Sequence, residues 1–237
     1  MKIYGHRGSP RTHTENTLDS FREAFKQGAN GVELDVRLNG SDDPVVFHDS
    51  TTVRFNGYRL PIDSIQTSEL SHFPIDGNNG PILKLSDFLE EFRDKEFILD
   101  LKTNNLTRGF LEKKVARLLE EFSVSDGVTI SSTSPISLCR FYVLNKKIEL
   151  ALIVERSSVI QPLLQRMLYI HYLHMNERIC SDKKLRHIRR MGLKSRIWTV
   201  NSIDKMSLYA RYAEGIITDD VLLLKNGLRE VDNGSDT

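Results

Sequence analysis

The sequence has little of several features that mark specialised proteins. Only two of its 237 residues are cysteines, Cys139 and Cys180, which is too few for a disulfide framework and favours reduced thiols in a cytoplasmic protein. The 33 basic and 32 acidic residues leave a net charge of +1, so the chain lacks the field that attracts nucleic acid or an anionic membrane. With 39% hydrophobic and 27% charged residues, the composition is that of an ordinary globular domain.

Long apolar segments are also lacking. His6 and Arg7 interrupt the N-terminus before an apolar run forms, so we predict no signal peptide. The most apolar later stretch, at 159–175, contains Pro162 and Arg166 and is too polar to span a bilayer. We therefore expect a cytoplasmic location and no transmembrane segment.

A basic cluster, KKLRHIRR at 183–190, is the one stretch that suggests nucleic acid. Its charges fit the solvated face of a helix whose Leu185 and Ile188 turn inward, and no aromatic residues are interleaved with them. We predict no nucleic-acid partner.

Short β-prone runs alternate with amphipathic helical patterns along most of the chain. This alternation predicts an α/β fold with a parallel sheet, and the length is close to the roughly 250 residues of a (β/α)8 TIM barrel. Nine candidate strands compete for eight places, so one unit is irregular, either a hairpin or an extended return. The candidates are KIYGH, GVELDV, PVVFHD, FILDLK, GVTISS, LALIVE, YLHMN, RIWTVN and GIITDD.

The domain is expected to span residues 1–229 as a single barrel, with a polar, frayed tail at 230–237. Residues 50–85 interrupt the pattern after the third candidate strand and predict a short loop-rich insertion that lies over the strand ends. The first helix is expected to be capped by Thr14 and to end at Gly28.

Polar side chains gather at the C-terminal ends of the candidate strands, where parallel barrels build their active sites. Glu33 and Asp35 are two residues apart on one strand, so they point to the same face, and Asp100 ends another strand. Three converging carboxylates form an oxygen-rich pocket that suits a hard cation such as Mg²⁺ or Ca²⁺.

Cations and titratable groups accompany these carboxylates. Arg7 and Lys102 beside a metal ion would hold a phosphate group. His6 and His48 supply two side chains that exchange protons near neutral pH. The pattern indicates a metal-assisted site for a phosphate-containing anion.

The motifs also resemble those of the glycerophosphodiester phosphodiesterases. The stretch HRGSPRTHTENTLDSFREAFKQGANGVELDVRLNGSDDPVVFHD is similar to that family's H-R-G, P-E-N-T, E-x-D and P-V-V-x-H-D series. Later, ILDLK resembles its E-x-K strand, and RIWTVN and GIITDD resemble its last two strands. The resemblance is continuous over about residues 3–102 and returns over 191–221.

The resemblance implies a TIM barrel that hydrolyses glycerophosphodiesters to sn-glycerol 3-phosphate and an alcohol, with one divalent metal ion. The family's residue roles transfer to this sequence position by position: His6 and His48 as the acid–base pair, Glu33, Asp35 and Asp100 on the metal, Arg7 and Lys102 on the phosphate, Trp198 as a wall of the substrate pocket, and Glu15 and Asn16 as supports.

The sequence departs from the family pattern at three positions. Asp100 stands where glutamate is usual, which shortens the carboxylate's reach by more than about 1 Å. Thr14 replaces the usual proline, and Asp43 stands where glycine is common before PVV. If that last position requires a positive φ, aspartate tolerates it better than most residues.

Two other functions remain open at the level of sequence. One is a lysophospholipase D or a phosphatidylinositol phospholipase C-like enzyme on the same barrel, whose lipid substrate would require an exposed apolar rim. The other is a phosphate-binding barrel without turnover, although both His6 and His48 are present. The leaving alcohol, the choice of metal and the oligomeric state are not specified by the sequence.

Overall fold

The computed structural model describes residues 1–73, 81–103, 109–155 and 170–234, and the side chains of 228–234 are excepted. Ten strands lie within these ranges: β1 (Lys2–His6), β2 (Gly31–Leu38), β3 (Pro44–Val46), β4 (Leu83–Lys84), β5 (Glu96–Leu101), β6 (Val128–Ser132), β7 (Glu149–Val154), β8 (Tyr172–Asn176), β9 (Lys194–Trp198) and β10 (Gly215–Thr218).

Eight of these strands close into a parallel barrel. The order β2, β5, β6, β7, β8, β9, β10 and β1 runs through neighbouring parallel pairs, and β1 pairs with β2 to complete the ring. The predicted (β/α)8 TIM barrel is therefore confirmed.

The irregular unit is a hairpin outside the ring. β3 pairs antiparallel with the end of β2, at Val36–Leu38, and β4 pairs antiparallel with β3. The segment PVVFHD therefore supplies β3 and not a barrel strand, which explains the ninth candidate strand. β4 is only two residues long and carries no recognisable sequence pattern.

Helices follow the barrel strands and cover their outer faces. The described helices are α1 (Leu18–Lys26), α2 (Val53–Asn56), α3 (Leu85–Phe92), α4 (Phe110–Glu121), α5 (Pro135–Leu144), α6 (Asp182–Arg190), α7 (Ile203–Tyr209) and α8 (Val221–Gly234). Leu185 and Ile188 of α6 are buried, as the pattern of the basic cluster predicts.

Strand alternation places most apolar residues of β2 and β5 outward and the carboxylates Glu33, Asp35 and Asp100 inward, together with the apolar Ile98. Val32, Leu34 and Val36 of β2 belong to the main core between barrel and helices, as do Phe97 and Leu99 of β5. The intervening residues of each strand face the barrel interior, because successive side chains point to opposite faces.

One local prediction about the backbone was wrong, and the condition stated for Asp43 is not met. Thr17, and not Thr14, caps α1, because its hydroxyl accepts from the Ser20 N–H at 3.2 Å. Asp42, and not Asp43, has a positive φ of 58° in the turn before β3. The Asn39 side chain builds that turn by accepting from the backbone N–H groups of Ser41 and Asp43.

Residues 50–73 and 81–85 are the described parts of the insertion predicted at 50–85. They contain α2 and two short 3-10 helices at Ile62–Ser64 and Thr67–His72, while residues 74–80 lie outside the described residues. At the other end of the chain, α8 continues to Gly234 and so includes the first residues of the predicted tail. The domain limits stay a prediction. No helix in the described ranges is both long and apolar enough to cross a membrane.

Candidate active site

Strand register brings the predicted site residues to one end of the barrel. Asp35 of β2 pairs directly with Asp100 of β5, and His6 of β1 pairs with Glu33 of β2. All of these residues lie near the C-terminal ends of parallel strands, which meet at the same rim. One cleft at this rim is lined by His6, Arg7, Glu33, Asp35, His48, Asp100, Lys102, Ser131, Ile153, Glu155, His174, Trp198 and Ile217.

The three carboxylates form a buried cluster. Glu33, Asp35 and Asp100 are 6%, 1% and 5% exposed, and one oxygen of each lies within 4.8 Å of the others. Asp100 Oδ1 is buried and has no hydrogen-bond partner among the residues that the structure describes. An unsatisfied, buried carboxylate oxygen is costly unless another group, such as a cation, completes its contacts.

Burial and mutual repulsion raise two of the three carboxyl pKa values. Burial, followed by the nearby charge of Asp35, raises the pKa of Glu33 to about 7. Burial also raises the pKa of Asp100 above its ordinary value. Burial has the same tendency at Asp35, but the cations Lys102 and Arg7 outweigh it and hold the pKa of Asp35 below its usual range.

Two cations balance the carboxylate cluster. Lys102 Nζ lies 3.0 Å from Asp35 Oδ1 and 2.5 Å from Asp100 Oδ2. The Arg7 guanidinium lies 3.1 Å from Asp35 Oδ2 through Nε, and the Arg7 backbone N–H donates to Glu33 Oε2. Attraction to these carboxylates outweighs burial and raises the pKa of both Arg7 and Lys102, so both remain positively charged.

His6 is held by a carboxylate that follows the last barrel strand. Its Nδ1 lies 2.7 Å from Asp219 Oδ1, and its Nε2 lies 4.0 Å from Glu33 Oε2. Asn201 fixes Asp219 by donating to Oδ2 at 2.7 Å and by accepting from the Asp219 backbone N–H at 2.9 Å. Burial disfavours the charged ring, but Asp219 and Glu33 outweigh it and raise the pKa of His6.

His48 follows β3 and is held in the same way by its neighbour in the chain. Its Nδ1 lies 2.6 Å from Asp49 Oδ1, and Arg54 donates to the other oxygen of Asp49 at 2.7 Å. Burial lowers the pKa of His48, although Asp35 opposes that shift. In both histidines Nδ1 is occupied by a carboxylate, so Nε2 is the ring nitrogen left for proton transfer.

Glu15 and Asn16 support the site from the loop after β1. Glu15 accepts from Arg7 at 2.8 Å and from Arg54 at 2.6 Å, so it links the first loop to the insertion. Asn16 donates from Nδ2 to Asp35 Oδ2 at 2.9 Å, and its backbone N–H donates to the Arg7 carbonyl. Arg7 and Asn16 both adopt positive φ, at 55° and 59°, which a stabilised loop must enforce.

Trp198 ends β9, which lies across the barrel from β5. Its indole N–H donates to the His174 carbonyl at 3.1 Å, and its ring packs against Tyr4, Ile98 and Ile217 inside the barrel. The cleft therefore has a charged half, at β1, β2 and β5, and a more apolar half that includes Ile153 and Ile217.

The structure brings together all ten residues predicted from the sequence, and it adds several that sequence reasoning missed. Asp219 carries the same strand-end signal as the others, since it directly follows β10. His174, on β8, is only 1% exposed, yet it lines the cleft. Arg54 has no sequence signal, because it lies in an irregular segment that only tertiary structure brings beside Glu15.

Comparison with known proteins identifies the family of this arrangement. Residues 6–223 match the glycerophosphoryl diester phosphodiesterase family. This chain belongs to that family. Family members hydrolyse glycerophosphodiesters, and the conserved reaction class is the one that the cleft chemistry indicates.

Individual relatives cover almost the whole chain. The glycerophosphodiester phosphodiesterase of Caldanaerobacter subterraneus is 25% identical over 96% of this chain and 98% of its own length. The Thermotoga maritima glycerophosphodiester phosphodiesterase structure is 26% identical, with a TM-score of 0.80 over 95% of this chain and 97% of that chain. An Oleispira antarctica phosphodiesterase, solved with the product sn-glycerol-3-phosphate, is 22% identical, with a TM-score of 0.90 over 97% of each chain.

Proposed function

We propose that this chain hydrolyses glycerophosphodiesters to sn-glycerol 3-phosphate and an alcohol, using one divalent cation and the pair His6 and His48. The observation that carries the proposal is the convergence of three buried carboxylates, two cations and two histidines on one cleft. The family and the product found in the Oleispira antarctica relative support the substrate class.

The carboxylate cluster fits a hard cation. Its donor atoms are all carboxylate oxygens, which Mg²⁺ and Ca²⁺ prefer, and Asp100 Oδ1 is buried without a hydrogen-bond partner in the described part of the chain. Glu33, Asp35 and Asp100 would hold the ion. When bound, Mg²⁺ or Ca²⁺ would supply a Lewis acid that offsets the charge of the phosphodiester.

Arg7 and Lys102 supply permanent positive charge beside the carboxylates. Their side chains are only 15% (Arg7) and 21% (Lys102) exposed, so water screens their charges poorly. Their role is to attract the phosphodiester anion and to stabilise the additional charge that develops on its oxygens in the transition state.

The two histidines divide the proton transfers. Asp219 stabilises the protonated ring of His6, which suits it to donate from Nε2 to the departing alkoxide. His48 is the base, since its ring favours the neutral form and can accept a proton from the attacking oxygen. That oxygen belongs either to water or to the 2-hydroxyl of the glycerol moiety, and both routes use the same two rings.

Water-soluble diesters fit this site better than lipids. A lipid substrate would require an exposed apolar rim, but Phe55, Leu60 and Phe73 of the insertion pack against a second buried cluster. Val53 and Tyr58 are the large apolar residues of the described insertion that remain exposed. The cytoplasmic location predicted from the sequence stays a prediction.

The test is a direct assay of sn-glycerol 3-phosphate release from glycerophosphodiesters, with Mg²⁺ or Ca²⁺ and with a chelator. We expect release only with the metal, and we expect His48→Ala to lower kcat at least about 100-fold, the usual scale for a general acid or base. His187→Ala, an exposed histidine on α6, is the matched control and should keep wild-type turnover. Full activity in the chelator, or in His48→Ala, would contradict the proposal.

A further inference from the structure

A second cleft adjoins the catalytic one and shares Lys102 with it. It lies between the turn that joins β2 to β3, the insertion and the start of α4. Lys102 belongs to the lining of both clefts, whereas Trp198 lines only the first and Phe110 only the second. Because the two clefts share Lys102, a phosphodiester held beside Lys102 in the first cleft has the second cleft next to it for one of its two alcohol groups. The second cleft is lined by Arg37, Leu38, Asn39, Gly40, Asp42, Ser50, Ile62, Asp63, Lys102 and Phe110.

Arg37 extends the inward row of β2 that begins with Glu33 and Asp35, because it lies two residues further along the strand. Its Nε donates to the His48 carbonyl at 2.8 Å, which fixes the base of the guanidinium beside the catalytic histidine. Within the described parts of the chain, the terminal Nη1 and Nη2 atoms of Arg37 form no hydrogen bond or ion pair. Two directional donors are thus presented to the second cleft.

Acceptors face the same space from the two loops that border it. Asp42 in the turn before β3 and Asp63 in the first 3-10 helix are exposed and pair with no cation among the described residues. Ser50 adds a hydroxyl to this wall. Phe110, 54% exposed at the first position of α4, adds an apolar surface. The cleft therefore combines donors, acceptors and one aromatic face.

We propose that this second cleft binds the leaving alcohol of the substrate and selects a neutral polyhydric alcohol, such as a glycerol or inositol headgroup. The inference rests on the proposed hydrolysis. A cationic headgroup would be attracted by Asp42 and Asp63 but repelled by Arg37 and Lys102. An anionic headgroup would be attracted by the two cations but repelled by the two carboxylates. Hydroxyl groups both donate and accept, so a neutral polyol satisfies the carboxylates and the guanidinium without a charge conflict.

The test compares glycerophosphoglycerol, glycerophosphoinositol, glycerophosphocholine and glycerophosphoserine as substrates of the wild-type enzyme and of Asp63→Ala. Asp63 is the position to change because it is exposed and does not contact His6, His48 or the carboxylate cluster. Asp94→Ala is the matched control, since Asp94 is an exposed carboxylate in the loop before β5, at the other end of the barrel.

We expect the wild-type kcat/KM to be at least about tenfold higher for the two polyol diesters than for the choline and serine diesters. Asp63→Ala should lower kcat/KM for the polyol diesters about tenfold, the scale of one hydrogen bond to a charged group, and should change the choline diester less than about threefold. Asp94→Ala should match the wild type with every substrate.

Three results would overturn the inference: an equal loss with all four substrates, a loss confined to the choline or serine diester, or no loss with any substrate. Equilibrium binding of the same four substrates to the His6→Ala protein measures the affinity of the second cleft without turnover. If the wild-type enzyme releases no sn-glycerol 3-phosphate but His6→Ala still binds the polyol diesters most tightly, the proposed reaction fails and the polyol site stands.

Discussion

At the scale of single residues, the site is defined by an imbalance of buried charge. Glu33, Asp35 and Asp100 place three carboxyl groups in a volume where Arg7 and Lys102 supply two cations. The protein limits the repulsion by favouring the protonated form of Glu33, whose pKa rises to about 7. A divalent cation would remove the need for that proton, so metal binding and proton release are coupled.

This coupling predicts a pH effect on the stability of the metal-free protein. In the unfolded chain Glu33 has its ordinary pKa of 4.5, whereas in the folded protein its pKa is about 7. Between these values the folded state keeps a proton that the unfolded state has lost, so the free energy of unfolding falls as pH rises. Glu33→Gln lacks this ionisation and should gain on the order of 1–3 kcal/mol relative to wild type between pH 4.5 and pH 8. Urea unfolding of both proteins in a chelator, at a series of pH values, measures this difference in the free energy of unfolding. If that free energy changes with pH in the same way in both proteins, the account is contradicted.

Asp100 provides a second test at the residue scale. Although its side chain is one methylene shorter than the family's usual glutamate, its carboxylate reaches the cluster and contacts Lys102 at 2.5 Å. The site is therefore already filled by aspartate, and Asp100→Glu should overcrowd it at a cost of about 1–3 kcal/mol. We expect weaker binding of Mg²⁺ or Ca²⁺, measured by calorimetric titration against Asp94→Glu as the control. Tighter binding with equal or higher turnover would mean that Asp100 is a weakened ligand.

At the scale of elements, the hairpin outside the barrel positions His48. β3 ends at Val46, and the next residue, Phe47, is 2% exposed and packs on Phe55 with ring centroids 5.1 Å apart. Phe47 belongs to the second core cluster, which attaches the insertion to β3. His48, the proposed base, thus follows directly after a buried anchor, which limits its movement.

Phe47→Ala should therefore affect both folding and catalysis. Removing a fully buried phenylalanine costs about 3–5 kcal/mol, and the loss of the anchor should lower kcat through misplacement of His48. Chemical unfolding and kcat are the two measurements. Ile136→Ala, at a side chain that is 64% exposed on α5, is the control and should stay within about 0.5 kcal/mol of wild type. A Phe47→Ala protein with wild-type stability would show that the second cluster does not anchor the insertion.

The sequence predicts the elements whose residues alternate regularly. It does not predict the features that depend on contacts between distant parts of the chain. The inward row of Glu33 and Asp35 follows from strand periodicity, whereas the barrel follows from the alternation of strands and helices together with the chain length. The hairpin remained ambiguous because a three-residue antiparallel strand and a barrel strand have the same composition. The predicted cap of α1 was too early in the chain. Asn16 and the loop around it contact the site carboxylate Asp35, so the helix begins only at Leu18. Asp219 had a local signal, because it follows a strand, but its partner His6 is 213 positions away, and Arg54 contacts Glu15 over 39 positions without any local signal.

At the scale of the whole molecule, a cation bound to three strand-end residues should stabilise the barrel. Glu33 and Asp35 belong to β2 and Asp100 to the adjacent β5, so the ion would join the two strands where the hairpin leaves the ring. At a metal concentration about 100 times Kd, the stabilisation is about 2.7 kcal/mol, which for a domain of this size raises Tm by about 5–10 °C. Calorimetric melting with Mg²⁺ or Ca²⁺ and with a chelator measures the shift. Glu33→Gln should lose most of this metal-dependent rise in Tm. A full rise in Tm in Glu33→Gln would mean that the ion binds elsewhere.

The most direct test of the proposed reaction is hydrolysis of a glycerophosphodiester in ¹⁸O-labelled water, with both products analysed by mass spectrometry. The account predicts metal-dependent formation of sn-glycerol 3-phosphate that carries one ¹⁸O on its phosphate, together with an unlabelled alcohol, because water ends at phosphorus by either proposed route. Labelled phosphate on the alcohol with free glycerol, as a phospholipase C-type cleavage gives, would contradict it, and so would the absence of any product.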